Sequence, residues 1–471
     1  MKRILSLLTF LMMTSALSAQ RIEGTWYGTL QLPGGNHLAV VFHINKSGTV
    51  YLATMDSPDQ GANGLPIDAT TIDRDQIKME AAKFQIKYTG TYLPDSNMIK
   101  GIFTQGPGNL PLNLYPNKPV SAVTKAQVRP QDPKSFAYRR EEVSFINMKA
   151  GNRLAGTLTL PATGKASRIV VLISGSGPQN RDEEIRQFNH RPFLVWSDWL
   201  TRHGIAVLRY DDRGVGASTG AFAAATSADF ADDAGAAVNF IKSRADLKNM
   251  SVGLMGHSEG GMIAPMLAAR DTRVKFIVLL AGPGVPITEL MLQQSADQMR
   301  LSGAPDAAIA RSSATNKKLY EFMAGHQSLS NNELQMNLDT LLHKQLRNYP
   351  AEDLQGQTID AISQQTLAQL CKPWFRYFIA FKPADYLTKV KCPVLALNGT
   401  LDMQVSCSPN LAAIKASLQK AGNKSVQVIP LDNLNHLFQQ AKTGNISEYA
   451  EISETINPLA LEKVTGWINR L

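Results

Sequence analysis

Cysteine is scarce: the 471 residues hold three, Cys371, Cys392 and Cys407. Cys392 precedes a short run that reads as a strand, and Cys407 lies beyond its other end. At roughly 3.3 Å of rise per strand residue the two stand too far apart to bond. Disulfides are therefore not expected to staple this chain. There is also no His-Glu-x-x-His pattern and no Cys/His cluster, so neither a metal nor another cofactor is expected. Low-complexity tracts are absent, and a composition of 44% hydrophobic and 18% charged residues is that of a globular protein. The net charge of +9 falls to +7 if Lys2 and Arg3 leave with an export signal, because residues 1–19 hold no acid. That surplus is mild, and no dense Lys/Arg block with interleaved aromatics accompanies it, so nucleic acid is excluded as an expected partner.

Long apolar runs are missing as well. The longest early one, Ile4 to Met13, is too short to cross the ~30 Å of a bilayer core. Between Lys2-Arg3 and the small-residue exit Ala16-Leu17-Ser18-Ala19 it reads as an export signal over residues 1–19. Gln20 stands where a bacterial lipoprotein carries a cysteine, so no stable membrane anchor is expected, and the mature chain is placed in the periplasm or outside the cell. The length calls for two or three domains.

What is present divides at about residue 125. Over 20–125 short β-rich runs alternate with turn signals: Leu38 to Ile44, Thr49 to Ala53, Phe84 to Tyr88 and Met98 to Phe103, punctuated by Gly34-Gly35, Ser47-Gly48 and Asp95-Ser96-Asn97. This predicts a small antiparallel barrel or sandwich, with His37 and His43 as ordinary strand or surface residues. The polar stretch around Val123 to Pro133 reads as a linker.

Over 126–471 the pattern becomes α/β. Glu142 to Asn147 and Leu154 to Leu160 form an expected hairpin, followed by the continuous apolar runs Arg168 to Ser174 and Ile205 to Tyr210. Phe230, Ala234, Ala237, Val238 and Ile241 share one helical face, with Ser227 as the expected N-cap. Further strands are expected at Ser251 to Met255, Phe276 to Leu280, Val394 to Leu397 and Ser425 to Ile429. Alternating strands and helices imply a mostly parallel sheet covered by helices. The hundred-odd residues from about 286 to 386 exceed any ordinary connection. Helical spacing in Leu334, Met336, Leu338, Leu341 and Leu342 makes them an expected cap.

Gly256-His257-Ser258-Glu259-Gly260 follows a buried strand and precedes a helix expected to begin near Gly261. A G-x-S-x-G at such a corner exposes a serine hydroxyl at the sheet edge, in the manner of an α/β-hydrolase nucleophile elbow. Serine needs a base, and in this fold class the histidine comes last, after the acid. Of eight histidines only His436 lies beyond residue 343. Asp402, just past the strand at Val394, is the expected acid; Asp432 is its rival but shares a short loop with His436. His257 is assigned a structural role, its side chain expected to point away from the serine hydroxyl. For the oxyanion, the backbone N–H of Glu259 is one expected donor and that of Ser176, in Ser174-Gly175-Ser176-Gly177-Pro178, the other, with Gly175 or Gly177 as lesser alternatives. The glycine run Gly214 to Gly220 has its third glycine one place late for dinucleotide binding and reads as a sheet loop.

Ser174 to Asp182, Tyr210 to Ser218, Gly256 to Gly261 and Leu397 to Asp402 together resemble a bacterial α/β-hydrolase family. It is the family of acyl esterases similar to esterase EstD and of serine aminopeptidase S33-like hydrolases, and the resemblance covers roughly 138–471. It implies the triad Ser258, Asp402 and His436. Many relatives have His-Gly before the oxyanion residue, whereas this chain has Ser174-Gly175. The expectation is a serine carboxylesterase acting on short-chain acyl esters of small molecules. The aromatics Trp374, Phe375, Tyr377 and Phe378 are available to wall its pocket or to fill the cap core. Two alternatives stand beside it. One is an aminopeptidase that anchors a substrate amine on Glu259 or Glu183-Glu184; the other is a glycan-binding protein acting through the front β-domain.

Overall fold

The computed structural model describes residues 22–31, 37–58, 62–105, 108–116, 128–162, 166–354 and 356–471. The expected export signal, Gln20, the Gly34-Gly35 turn and the first half of the linker lie outside the described residues. The chain divides into two compact units: one runs to Lys125 and takes in Leu354–Ala361, the other holds Ala126–Asp353 and Ile362–Leu471.

The first unit is all-β. Strands β1 (Gly24–Gln31), β2 (His37–Ser47), β3 (Val50–Ser57) and β4 (Ala62–Ile67) form one antiparallel sheet. A second contains β5 (Ala69–Asp73), β6 (Gln76–Ala81), β7 (Ile86–Leu93), β8 (Met98–Gln105) and β9 (Gly108–Leu114) in chain order. Paired backbone bonds between Tyr27 and Tyr115, each 2.8 Å, join the two sheets along one seam. Period-two alternation decides the faces: in β6, Ile77, Met79 and Ala81 are buried and their neighbours exposed. Trp26, Phe42, Tyr88 and Ile99 complete the core. The strand expected from Phe84 begins instead at Ile86, because Gln85 turns into the left-handed region at φ +52° after the short helix Ala82–Phe84. His43 bonds Asp56 at 2.8 Å and Thr25 at 3.1 Å across the strands.

The second unit is built on eight strands. An antiparallel hairpin of β10 (Arg139–Ile146) and β11 (Arg153–Leu160) leads to β12 (Arg168–Ile173), α1 (Pro192–Arg202), β13 (Ala206–Tyr210), α2 (Ser227–Ser243), β14 (Ser251–His257), α3 (Glu259–Ala268) and β15 (Val274–Leu280). Then come the helices of the insertion, α4 (Ile287–Leu301), α5 (Asp306–Gly325), α6 (Asn331–Leu346), α7 (Ile359–Leu370), α8 (Pro373–Ile379) and α9 (Ala384–Leu387). The chain closes with β16 (Val394–Gly399), α10 (Cys407–Lys420), β17 (Val426–Leu431) and α11 (Pro458–Arg470). Strand order is β10-β11-β13-β12-β14-β15-β16-β17, parallel from β13 onward.

The continuous apolar runs follow from burial on both faces. Val170, Val207, Met255 and Val278 point into a core shared with Trp196 of α1 and Trp467 of α11. The alternate residues Val171, Leu208, Leu254 and Ile277, equally buried, face the other way, where α2 and α3 pack. Three local expectations are corrected. The N-cap of α2 is Thr226, whose N–H and hydroxyl both donate to Asp229; Ser227 is already helical. Helix α3 starts at Glu259 rather than near Gly261. In α6 the buried face is Leu334, Leu338, Leu342 and Leu346, at intervals of four, whereas Met336 is 69% exposed, since two residues turn a helix by roughly 200°. All three cysteines carry free thiols, and among the described residues no helix is long and apolar enough to cross a membrane.

Candidate active site

The elbow is a consequence of close packing. A Cβ on Gly256 would lie 2.0 Å from the Gly260 carbonyl oxygen, and one on Gly260 would lie 2.1 Å from that of Ile173. Between these bare positions Ser258 adopts φ +52°, ψ −117°, a strained conformation for a residue with a side chain. Its N–H is held by the Leu280 carbonyl at 2.8 Å. The next residue, Glu259, opens α3, where first-turn N–H groups have no partner within the helix. Pro265 sits buried inside α3, and nothing in the structure explains its tolerance there.

Asp402 follows β16 in a tight turn. One carboxyl oxygen accepts the backbone N–H groups of Gln404 and Val405, each at 2.8 Å, and the other lies 2.7 Å from His436 Nδ1. Asp402 is 4% and His436 3% exposed. The loop bearing His436 is tied by Asn435, whose side-chain oxygen accepts from Leu437 and Gln439, each at 3.0 Å. Asp432, the rival acid, is exposed.

Ser258, His436, Glu259 and Ser176 line one cavity of about 330 Å³, with Asp402 directly behind His436. Leu290, Met291, Trp374, Phe375 and Phe378 of the insertion supply part of its apolar wall, beside Ile185, Val405 and Leu437. Trp374 stacks on Phe378 with centroids 4.7 Å apart, while Tyr377 is not in the wall and pairs with Phe381. In the loop from Ser174 to Pro178, expected to supply an oxyanion donor, Gly175 N–H is already engaged by Glu183 Oε1 at 2.7 Å. That counts against Gly175 and leaves Ser176 and Gly177 as the candidate donors of this loop.

Two acids in this cavity have firm partners of their own. Glu259, 2% exposed, accepts from the Ser227 hydroxyl at 2.6 Å and the Trp374 indole N–H at 2.9 Å. Burial raises its pKa, and hydrogen bonds from Ser227, Trp374 and Ser176 only partly oppose that. Glu183 Oε1 also lies 3.0 Å from His257 Nδ1. His257, assigned a structural role from the sequence, has structural contacts of a kind the sequence did not specify: its Nε2 reaches the His436 carbonyl at 3.0 Å, and the two rings pack 4.8 Å apart. Neither the Glu183 contact nor the Trp374 hydrogen bond has a local sequence signal.

The remaining histidines do other work. His190 is fully buried against the Thr455 carbonyl, and burial pushes its pKa down to about 3. His203, His326 and His343 each bond a carbonyl four residues back, near the end of a helix. The Gly214 to Gly220 run forms the loop after β13, where the Asp211 carboxylate accepts the Ala217 N–H at 3.0 Å.

The sheet order, with the strand-to-helix turn at Ser258 after β14 and the loops bearing Asp402 and His436 after β16 and β17, is that of an α/β-hydrolase. The chain belongs to the serine aminopeptidase S33 family, whose profile matches residues 193–440. It is similar to Esterase EstD of Thermotoga maritima, with 26% identity over 314 residues. That match covers 65% of this chain and 61% of the relative, so the chain spans about three fifths of the relative's length. Among solved structures it is similar to an esterase of Pyrococcus furiosus at 16% identity and TM-score 0.42, covering 71% of this chain and 93% of that one. It is also similar to the esterase domain of a Rhodothermus marinus protein at 18% identity and TM-score 0.38, covering 70% and 98%.

Proposed function

We propose that this chain is an exported serine carboxylesterase that hydrolyses short-chain acyl esters of small molecules through an acyl-enzyme. The observation that carries the reading is the buried 2.7 Å contact between His436 Nδ1 and Asp402, on a histidine that shares its cavity with Ser258. Asp402 fixes the tautomer that leaves Nε2 free to take the Ser258 proton. Ser258 Oγ then attacks the acyl carbon, and the Glu259 and Ser176 N–H groups stabilise the oxyanion. His436 returns the proton to the departing alcohol, after which it activates water to release the acid. A cavity of about 330 Å³ lies at the small end of ligand pockets, which favours a short acyl group. Export rests on the basic and apolar start of the chain.

A second reading, release of N-terminal residues from peptides, draws on the two cavity carboxyls, Glu183 and Glu259. Both already accept hydrogen bonds from the protein itself, which favours the ester. The test is hydrolysis of p-nitrophenyl acetate through decanoate, beside aminoacyl p-nitroanilides, by the wild type and Ser258→Ala. Turnover of short esters that disappears in the variant is expected. Turnover of the anilides alone would reverse the order of the two readings.

A further inference from the structure

Glu183 and His257 stand outside the triad, yet between them they touch both loops on which its chemistry depends. Glu183 is held at φ +51° by its N–H to the Asn180 carbonyl at 2.8 Å, and it is 5% exposed. Its Oε1 accepts the Gly175 N–H at 2.7 Å, from the loop that also carries Ser176. The same oxygen lies 3.0 Å from His257 Nδ1, and His257 Nε2 lies 3.0 Å from the backbone carbonyl of His436.

Donor and acceptor rules fix the protons. A carbonyl oxygen only accepts, so Nε2 carries hydrogen. With Glu183 as a carboxylate, which also only accepts, Nδ1 carries hydrogen as well. Two protons make His257 an imidazolium paired with Glu183. Burial pulls the His257 pKa down, but attraction and hydrogen bonding to Glu183, with lesser help from the His436 carbonyl and Asp402, leave it raised. The His436 ring lies 4.8 Å away, and His190, another titratable neighbour, is kept neutral by its own burial.

The geometry points to the Glu183–His257 ion pair as a positioning device that ties the oxyanion loop to the backbone of His436. It rests on the esterase reading above. The base and the oxyanion donor come from distant parts of the chain, and an error of 1 Å between such groups costs up to about a hundredfold in rate. Glutamine cannot replace Glu183 here. Without a counter-ion the buried His257 gives up one proton, and then either Nδ1 or Nε2 turns a lone pair to its partner.

The test uses the full chain and p-nitrophenyl acetate. Glu183→Gln is expected to lose roughly tenfold to a hundredfold in kcat with KM within about twofold, and Glu183→Asp, which keeps the charge, to recover part of that loss. In wild-type protein labelled with 15N-histidine, His257 (assigned through His257→Gln) is expected to show both ring nitrogens protonated at neutral pH. A neutral His257 in the wild type overturns the inference whatever the variants do. Loss of activity in Ser258→Ala beside wild-type kcat in Glu183→Gln overturns this inference alone. Full activity in Ser258→Ala overturns the esterase reading and this inference with it.

Discussion

Asp402 meets His436 Nδ1 at 2.7 Å with one carboxyl oxygen while the other is pinned by two backbone N–H groups of its own turn. In the proposed mechanism this carboxylate is oriented before substrate arrives. Asp402→Asn keeps the turn, because the amide oxygen still accepts from Gln404 and Val405, but presents an NH₂ to Nδ1 and so favours the wrong tautomer. The expected result is a fall in kcat of about 10³–10⁴ with p-nitrophenyl acetate and an unchanged fold by circular dichroism. A loss of less than tenfold would mean that another acid serves His436.

Gly260 tests the elbow as a packing problem. A methyl there would sit 2.1 Å from the Ile173 carbonyl, on the strand that leads into the loop bearing Gly175 and Ser176. Backbone cannot yield as a flexible side chain does, so Gly260→Ala is expected to cost at least the ~1–3 kcal/mol of ordinary overpacking. A thermal melt should show a lower Tm, and kcat should fall with it. A wild-type Tm would show that β12 and α3 can separate at no cost.

These two sites also show what could be read before the structure. The strand-to-helix corner at Ser258 is a local pattern of glycine and apolar spacing, and so are the central strands, buried on both faces and therefore continuously apolar. Expectations that rested on one residue's chemistry fared less well. Ser227 looked like an N-cap, but Thr226 fills that place and Ser227 instead donates to Glu259. Strand β6 also lay outside the sequence expectation, although Ile77, Met79 and Ala81 alternate with polar neighbours and mark it in the sequence. The hydrogen bonds of Trp374 to Glu259 and of His257 to Glu183 and His436 join residues far apart in sequence, and nothing in the neighbouring residues marks them.

Glu259 makes a prediction about pH. Its folded pKa is raised above the ordinary 4.5 by burial. Below that ordinary value both folded and unfolded chains hold the proton and nothing is lost. As pH climbs past it the unfolded chain ionises first, so wild-type stability falls until the folded pKa is passed. Glu259→Gln keeps an acceptor for Ser227 and Trp374 but has no proton to lose. Its Tm relative to wild type should therefore rise as pH climbs above the ordinary 4.5. A difference that stays constant over that range would mean the carboxyl is not destabilised by burial.

The insertion offers a comparison between two neighbours in one helix. Ser330 and Glu333 form a reciprocal cap at the start of α6, with the Ser330 N–H and hydroxyl at 2.8 and 2.7 Å from the Glu333 carboxylate. From there Leu334, Leu338, Leu342 and Leu346 recur every fourth residue and are buried, while Met336 points to solvent. Truncating Leu338, with no exposed surface, leaves a cavity that its neighbours cannot fully close, at a cost of about 2–5 kcal/mol. Truncating Met336 should change stability by no more than ~0.5 kcal/mol. Denaturant unfolding of Leu338→Ala and Met336→Ala measures both. Helix α6 packs against α5, and Tyr320 of α5 meets Phe375 of α8, which lines the cavity, with centroids 6.0 Å apart. Leu338→Ala should therefore also raise KM for longer acyl esters more than for acetate. Equal destabilisation by the two variants would mean that α6 buries a different face.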